Sequence, residues 1–176
     1  MKILKYLLIA FIGLIVILVV IGFLLPGSYH VERIIVIKGK TSEIYPYIGT
    51  LTKWPEWTVW NKTKYPEMVS QNSDLASGVG GWSTWKNRDG EGKTTITKAD
   101  PEKGIVFDLS FNKGEHLSVG EIRTETQGES VKVTWTNEGN LGLNPIGRYF
   151  GLLMDKFMGP DFQTGLENLK AKIEKR

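Results

Sequence analysis

Residues 141–173 read LGLNPIGRYFGLLMDKFMGPDFQTGLENLKAKI. Apolar side chains recur there as Ile146, Phe150, Leu153 and Phe157, then as Phe162, Leu166, Leu169 and Ile173. Within each half the steps are three or four residues, the spacing that lines up one face of an α-helix. Gly159-Pro160 divides the halves, because proline breaks an interior helical turn but suits the first turn of a new helix. The spacing therefore predicts two helical pieces, 143–158 and 160–175. The first carries the phenylalanines and methionines and is expected to form a pocket wall. The second, with its leucines and isoleucine, is expected to be plain core packing.

An amphipathic helix needs an apolar surface to cover, and the preceding chain supplies one. Tyr29–Ile37 is rich in β-branched residues and reads as a strand. Thr41 or Ser42 is the expected cap of a short helix bearing Ile44, Tyr47 and Ile48. Trp54, Trp57 and Trp60 follow at a spacing of three, which reads either as a plug for one end of the core or as a cavity wall. Residues 65–74 are polar and loop-like. Four more strands are expected at Ser77–Lys86, Lys93–Ala99, Ile105–Phe111 and Glu115–Glu125, and a last one at Val131–Glu138. In Ile105–Phe111 the alternation puts Phe107 and Phe111 on one face and Asp108 on the other. Trp82 and Trp85 fall on opposite faces unless a bulge unites them. Leu117 and Val119 share a face while Ile122 is out of phase, so Gly120 is the expected bulge. Strands followed by one long helix make an α+β two-layer domain, with the antiparallel sheet curved around the C-terminal helix.

The N-terminal part differs in kind. Residues 6–25 carry no charge over 20 positions, enough for a helix of about 30 Å, the thickness of a bilayer's hydrocarbon core. The run is longer than a signal-peptide core and lacks an Ala-x-Ala pattern after it, so it reads as an uncleaved transmembrane span. Residues 1–28 are then an anchor and linker, and 29–176 the domain. Lys2 and Lys5 precede the span, which puts the N-terminus in the cytoplasm and the domain on the extracytoplasmic side. The net charge of +3 shrinks without these two lysines, leaving 20 Lys and Arg against 19 Asp and Glu. There is no basic stripe, so no nucleic-acid partner is expected. No cysteine is present, which excludes disulfides, thiolate metal sites and a catalytic thiol.

Three groups of residues carry a resemblance to a known family. They are the opening strand and helix with Trp54-Pro-Glu-Trp57-Thr-Val-Trp60; Gly78-Val-Gly80-Gly-Trp82 with the Gly90-Glu-Gly92 turn; and Val131–Trp135 with Gly159-Pro-Asp161-Phe162 and Gly165-Leu166-Glu-Asn-Leu169. On these, residues 29–176 resemble the START-like helix-grip superfamily, and within it the polyketide cyclase/dehydrase and lipid-transport branch. The resemblance implies a curved sheet gripping a long helix around an apolar cavity, and a hydrophobic ligand such as a lipid, sterol or polyketide. It does not choose between binding and catalysis, and no cofactor is expected.

The aromatic inventory agrees with a hydrophobic ligand. Trp57, Trp60, Trp82 and Trp85 are candidate wall residues from the first half of the domain, with Phe107, Phe111 and Trp135 from the later strands. Phe150, Met154 and Phe157 would close the wall from the helix. For acid–base chemistry the candidates are thin: Asp108, Glu121 and His116, each of which would have to point into the cavity. The two histidines, His30 and His116, have no partner at metal-ligand spacing, so no metal is expected. The leading expectation is a membrane-anchored binding or carrier domain for a lipid or other hydrophobic small molecule. A cyclase- or dehydratase-type enzyme and a protein-partner module without a small ligand are the alternatives.

Overall fold

The computed structural model describes residues 2–114 and 116–175, apart from the Lys113 side chain. It opens with α1 (Lys2–Leu24), one helix long and apolar enough to cross a membrane, a property it shares with signal sequences. The domain follows as β1 (Ser28–Lys38), α2 (Thr41–Ile48), a 3₁₀ turn at Leu51–Glu56, β2 (Val69–Asn72), β3 (Trp82–Asn87), β4 (Gly90–Asp100), β5 (Gly104–Phe111), β6 (His116–Gln127), β7 (Ser130–Asn140), α3 (Pro145–Gly151) and α4 (Met154–Glu174). The strands form one antiparallel sheet in the order β1-β7-β6-β5-β4-β3-β2, and α4 lies across it. This is the START-like helix-grip fold.

The core concentrates where α4 and α2 meet the sheet. Phe162, Leu166, Leu169 and Ile173 of α4 are buried against Ile37, Val131, Val133 and Ile105, with Ile44 and Ile48 of α2 beside them. Two carboxylates pin α4 to β1. Asp155 accepts from Arg33 Nη1 at 2.7 Å and Nη2 at 3.2 Å. Glu174 accepts from the Lys38 backbone N–H at 2.8 Å. Both sit below the ordinary carboxylate range, Asp155 through the Arg33 hydrogen bond and Glu174 through the Lys38 N–H.

The closing helix departs from the predicted division. Pro160 lies inside α4, and the break falls instead at Leu152–Leu153. A proline there removes one intrahelical bond, at a cost of about 3 kcal/mol. The helix continues through the proline, with Asp155 before it held by Arg33 of β1 and Phe162 after it stacked on Trp135 of β7. Gly159 has its own reason: a Cβ there would run into the Arg33 guanidinium. The periodic stripe changes partner not at that break but inside α4, between Phe157 and Phe162. Ile146, Phe150, Leu153 and Phe157 are exposed, whereas Phe162 onward is buried. Helical period cannot distinguish a face that meets the sheet from one that does not.

Other local expectations shift too. Residues 69–72 add an edge strand, β2, where a loop was predicted. The α2 cap is Lys40, not Thr41 or Ser42: the Glu43 carboxylate accepts the Lys40 N–H at 2.9 Å, and the Thr41 hydroxyl pairs with Thr126. Pairing of β6 with β5 and β7 runs through Gly120 without interruption, and the bulge lies in β4 between Ile96 and Lys98. Without a bulge in β6, its inward face is Ser118, Gly120, Ile122 and Thr124, and Leu117 and Val119 point outward. The predicted start of that strand, Glu115, lies outside the described residues.

Candidate functional site

Between the sheet and the helices lies an open-mouthed cavity of about 1140 Å³, slightly above the ~300–1,000 Å³ common for small-molecule sites. How a domain with an otherwise filled core keeps this space is legible in three cross-strand pairs. Tyr29 of β1 faces Gly139 of β7, Phe107 of β5 faces Gly120 of β6, and Trp85 of β3 faces Gly92 of β4. In each pair the ring lies over the glycine. A Cβ at Gly139 or Gly120 would fall on the Tyr29 or Phe107 ring, and one at Gly92 would lie 2.5 Å from Trp85. Folded flat against bare backbone, the three rings surface the wall without filling the space in front of it.

The rest of the wall is aromatic and graded in burial. Trp135 stacks on Phe162 at 4.2 Å with the planes 5° apart, and Trp60 meets both edge-on. Trp54 meets Phe107 at 5.1 Å and anchors its indole N–H on the Ile48 carbonyl at 2.8 Å. The tryptophan triplet thus divides between the two roles open to it. Trp54 and Trp60 line the cavity. Trp57 is wholly buried behind Trp135, with its N–H on the Tyr47 carbonyl, and plugs the core.

Polar groups interrupt the wall at two places. The Tyr29 hydroxyl donates to Asn137 Oδ1 at 3.1 Å, and Asn137 Nδ2 donates to Ser118 Oγ at 3.1 Å. Asn137 is fully buried, while Tyr29 and Ser118 border the cavity. Burial raises the Tyr29 phenol above its ordinary range, and the Ser118 hydroxyl offsets part of that rise. On the α4 side, Asp161 borders the cavity and accepts from Lys64 Nζ at 3.1 Å. Tyr65 nearby is also raised, by burial and by Asp89, with Lys64 acting against both.

The register places the exposed part of the lining. Ser28 pairs with Asn140, Ser118 with Gly139, Phe111 with His116, Gly92 with Phe111 and Asn87 with Gly90. All these residues lie at the end of the sheet that receives α1. Cavity-lining Phe111, His116 and Leu141 belong to this end, as do Ile146 and Phe150 of α3. The other end is closed by the core.

Of the residues singled out from the sequence, Trp60, Trp85, Phe107, Phe111, Trp135, Phe150, Met154 and Phe157 border the cavity. Trp57 and Trp82 do not. β3 is regular, so Trp82 stays on the face opposite Trp85, under the Lys93 ammonium at 5.1 Å. Among the acid–base candidates, Asp108 is exposed on the outer face of β5. Glu121 is 4.0 Å from Arg123 and away from the cavity wall. His116 borders the mouth, exposed. No group of three or more metal-ligating side chains occurs among the described residues. Sequence reading passed over Tyr29 and Ser118. The signal that could have found the hollow is glycine inside strands, read as room for a neighbouring ring.

The fold is shared with solved structures at low identity. The di-domain ARO/CYC StfQ of the steffimycin biosynthetic pathway superposes with a TM-score of 0.65 at 14% identity, over 85% of this chain and 51% of that one. The Aha1 dimer of Colwellia psychrerythraea gives 0.57 at 19%, over 82% and 96%. Major latex-like protein 151 of Panax ginseng gives 0.56 at 18%, over 84% and 99%. A search of curated proteins returned no match. The sequence itself matches the family described as "Polyketide cyclase / dehydrase and lipid transport" over residues 28–174. With that match across the whole gripping sheet and helix, the chain belongs to the polyketide cyclase/dehydrase and lipid-transport family.

Proposed function

We propose that the domain binds a lipid or other hydrophobic small molecule in its cavity, and that α1 anchors it to a membrane. The observation that carries this reading is the cavity itself: about 1140 Å³, walled by aromatic rings laid over glycines. Burying apolar ligand surface there is worth about 25 cal/mol per Å². The few polar groups, Tyr29 with Ser118 and Asp161 with Lys64, would orient the polar end of an amphiphile. Binding is favoured over catalysis because Asp108 and Glu121 point away from the cavity and His116 stands at its mouth. Lys2 and Lys5 ahead of the span support a cytoplasmic N-terminus with the domain across the membrane.

Native mass spectrometry of the full chain purified in mild detergent tests the binding. A bound hydrophobic molecule, and uptake of a fluorescent fatty acid that it competes with, is the expected result. Absence of both would sink the reading.

A further inference from the structure

The cavity opens beside α1, and the element between them, α3, is built into that helix. Tyr149 Oη donates to the Leu18 carbonyl at 2.7 Å. Pro145 rests on Gly22, where a Cβ would come within 2.7 Å of it. Arg148 Nη1 donates to the carbonyls of Phe23 at 2.7 Å and Leu25 at 3.1 Å, and its Nε and Nη2 donate to Gly142. Leu18 lies six residues before Leu24, the last of α1. At 1.5 Å per residue the Tyr149 contact is about 9 Å inside the end of the span.

The chemistry of α3 suits that depth. Between residues 141 and 154 the one charged side chain is Arg148, and its guanidinium is occupied by carbonyls at the end of α1. Leu143, Ile146, Phe150 and Leu152 are each more than half exposed in the isolated chain. An apolar patch of this size in water would be a liability. Continuous with a membrane span, such a patch suits the interfacial region of a bilayer. Ile146 and Phe150 also border the cavity, so the surface that would meet lipid is the lip of the opening.

We infer that α3 lies in the same lipid leaflet as the end of α1, so that the cavity mouth opens to lipid rather than to water. An amphiphile then passes between leaflet and cavity along α3 without crossing the aqueous phase. This rests on α1 being a membrane anchor and on the cavity being a lipid site.

The absence of cysteine makes the test direct. Leu14→Cys, Ile146→Cys, Phe150→Cys and Glu129→Cys variants of the full chain each carry one environment-sensitive fluorophore in phosphatidylcholine–phosphatidylglycerol vesicles. Glu129 is in the β6–β7 turn, at the far end of the sheet. Nitroxide-labelled phosphatidylcholine is expected to quench the labels at 14, 146 and 150 but not at 129. Iodide is expected to quench 146 and 150 severalfold less than 129. Iodide access at 146 and 150 equal to that at 129, with 14 still lipid-quenched, overturns the inference and leaves the anchor standing. Shielding of 146 and 150 from both quenchers means that protein, such as a second copy, covers α3, and overturns it equally. If the label at 14 is itself open to iodide, the anchor reading fails and the inference falls with it.

Discussion

Replacing Gly120 with alanine tests whether the cavity is kept open by rings lying on glycine. The backbone at Gly120 is ordinary strand, directly paired with Phe107, so the substitution brings no conformational strain of its own. The added Cβ would lie 3.0 Å from Phe107 Cδ2 and closer still to two other ring atoms, against an ordinary contact of at least 3.4 Å. The ring must retreat on the order of an ångström. Trp54 blocks it on one side at 5.1 Å, which leaves the cavity as the direction of relief. Overpacking costs about 1–3 kcal/mol, and removing a strand glycine returns about 0.5–1 kcal/mol. The net loss is about 0–2.5 kcal/mol, centred on about 1 kcal/mol, a few degrees in Tm for a domain of this size. Thermal unfolding of the full chain in detergent, followed by near-ultraviolet circular dichroism, measures it. Fluorescent fatty acid uptake should fall in the same variant, because Phe107 now stands in the cavity. In a Phe107→Leu background, Gly120→Ala should cost at least about 0.5 kcal/mol less. An unchanged Tm with unchanged uptake, or additive costs in the double variant, would refute the reasoning.

Three further outcomes follow from the same geometry. Arg148→Met removes the donors that tie α3 to the end of α1, so amide exchange across residues 144–152 should accelerate in micelles; unchanged exchange would mean that the carbonyl contacts hold nothing. Asp155 and Glu174 have depressed pKa values when folded, so their contribution is full above the unfolded carboxylate value, about 4, and is lost as pH falls through the folded ones. Acid titration should therefore loosen α4 from β1 below about pH 4, and the Asp155→Asn, Glu174→Gln double variant should flatten that dependence; the same acid transition in the variant would count against these pairs. Asp108→Asn and Glu121→Gln should leave lipid uptake unchanged, since neither side chain borders the cavity; a marked loss would return an acid–base role to consideration.

Six of the seven strands, all but the edge strand β2, and the buried half of α4 were legible because alternation and helical period record how a residue meets a surface. Phe107 inward and Asp108 outward, or Phe162 with Leu166 and Leu169, need only their local neighbours to be read. The same logic misread β6. Leu117 and Val119 are its conspicuous apolar pair, yet they point outward, and the inward face at that level is Ser118 and Gly120. Small residues there are what an open cavity demands, and they look like a weak strand. Trp57 and Trp82 were misplaced for a related reason: tryptophan's size marks burial or contact, not which side of a wall it occupies.

The amino-acid order alone determined the apolar N-terminal run, the α+β succession, the family and the aromatic stock from which the wall is made. All but the family, which rests on the likeness of specific motifs, are properties of composition and short-range period. Only the tertiary structure decided that the stripe from Ile146 to Phe157 leaves the core, that the helix passes through Pro160, and that three rings lie on glycines of the neighbouring strands. These depend on groups far apart in the chain: Tyr149 with Leu18, Asp155 with Arg33, Phe107 with Gly120. A residue 131 positions away leaves no trace in local periodicity, yet its carbonyl fixes where α3 lies and so where the cavity opens.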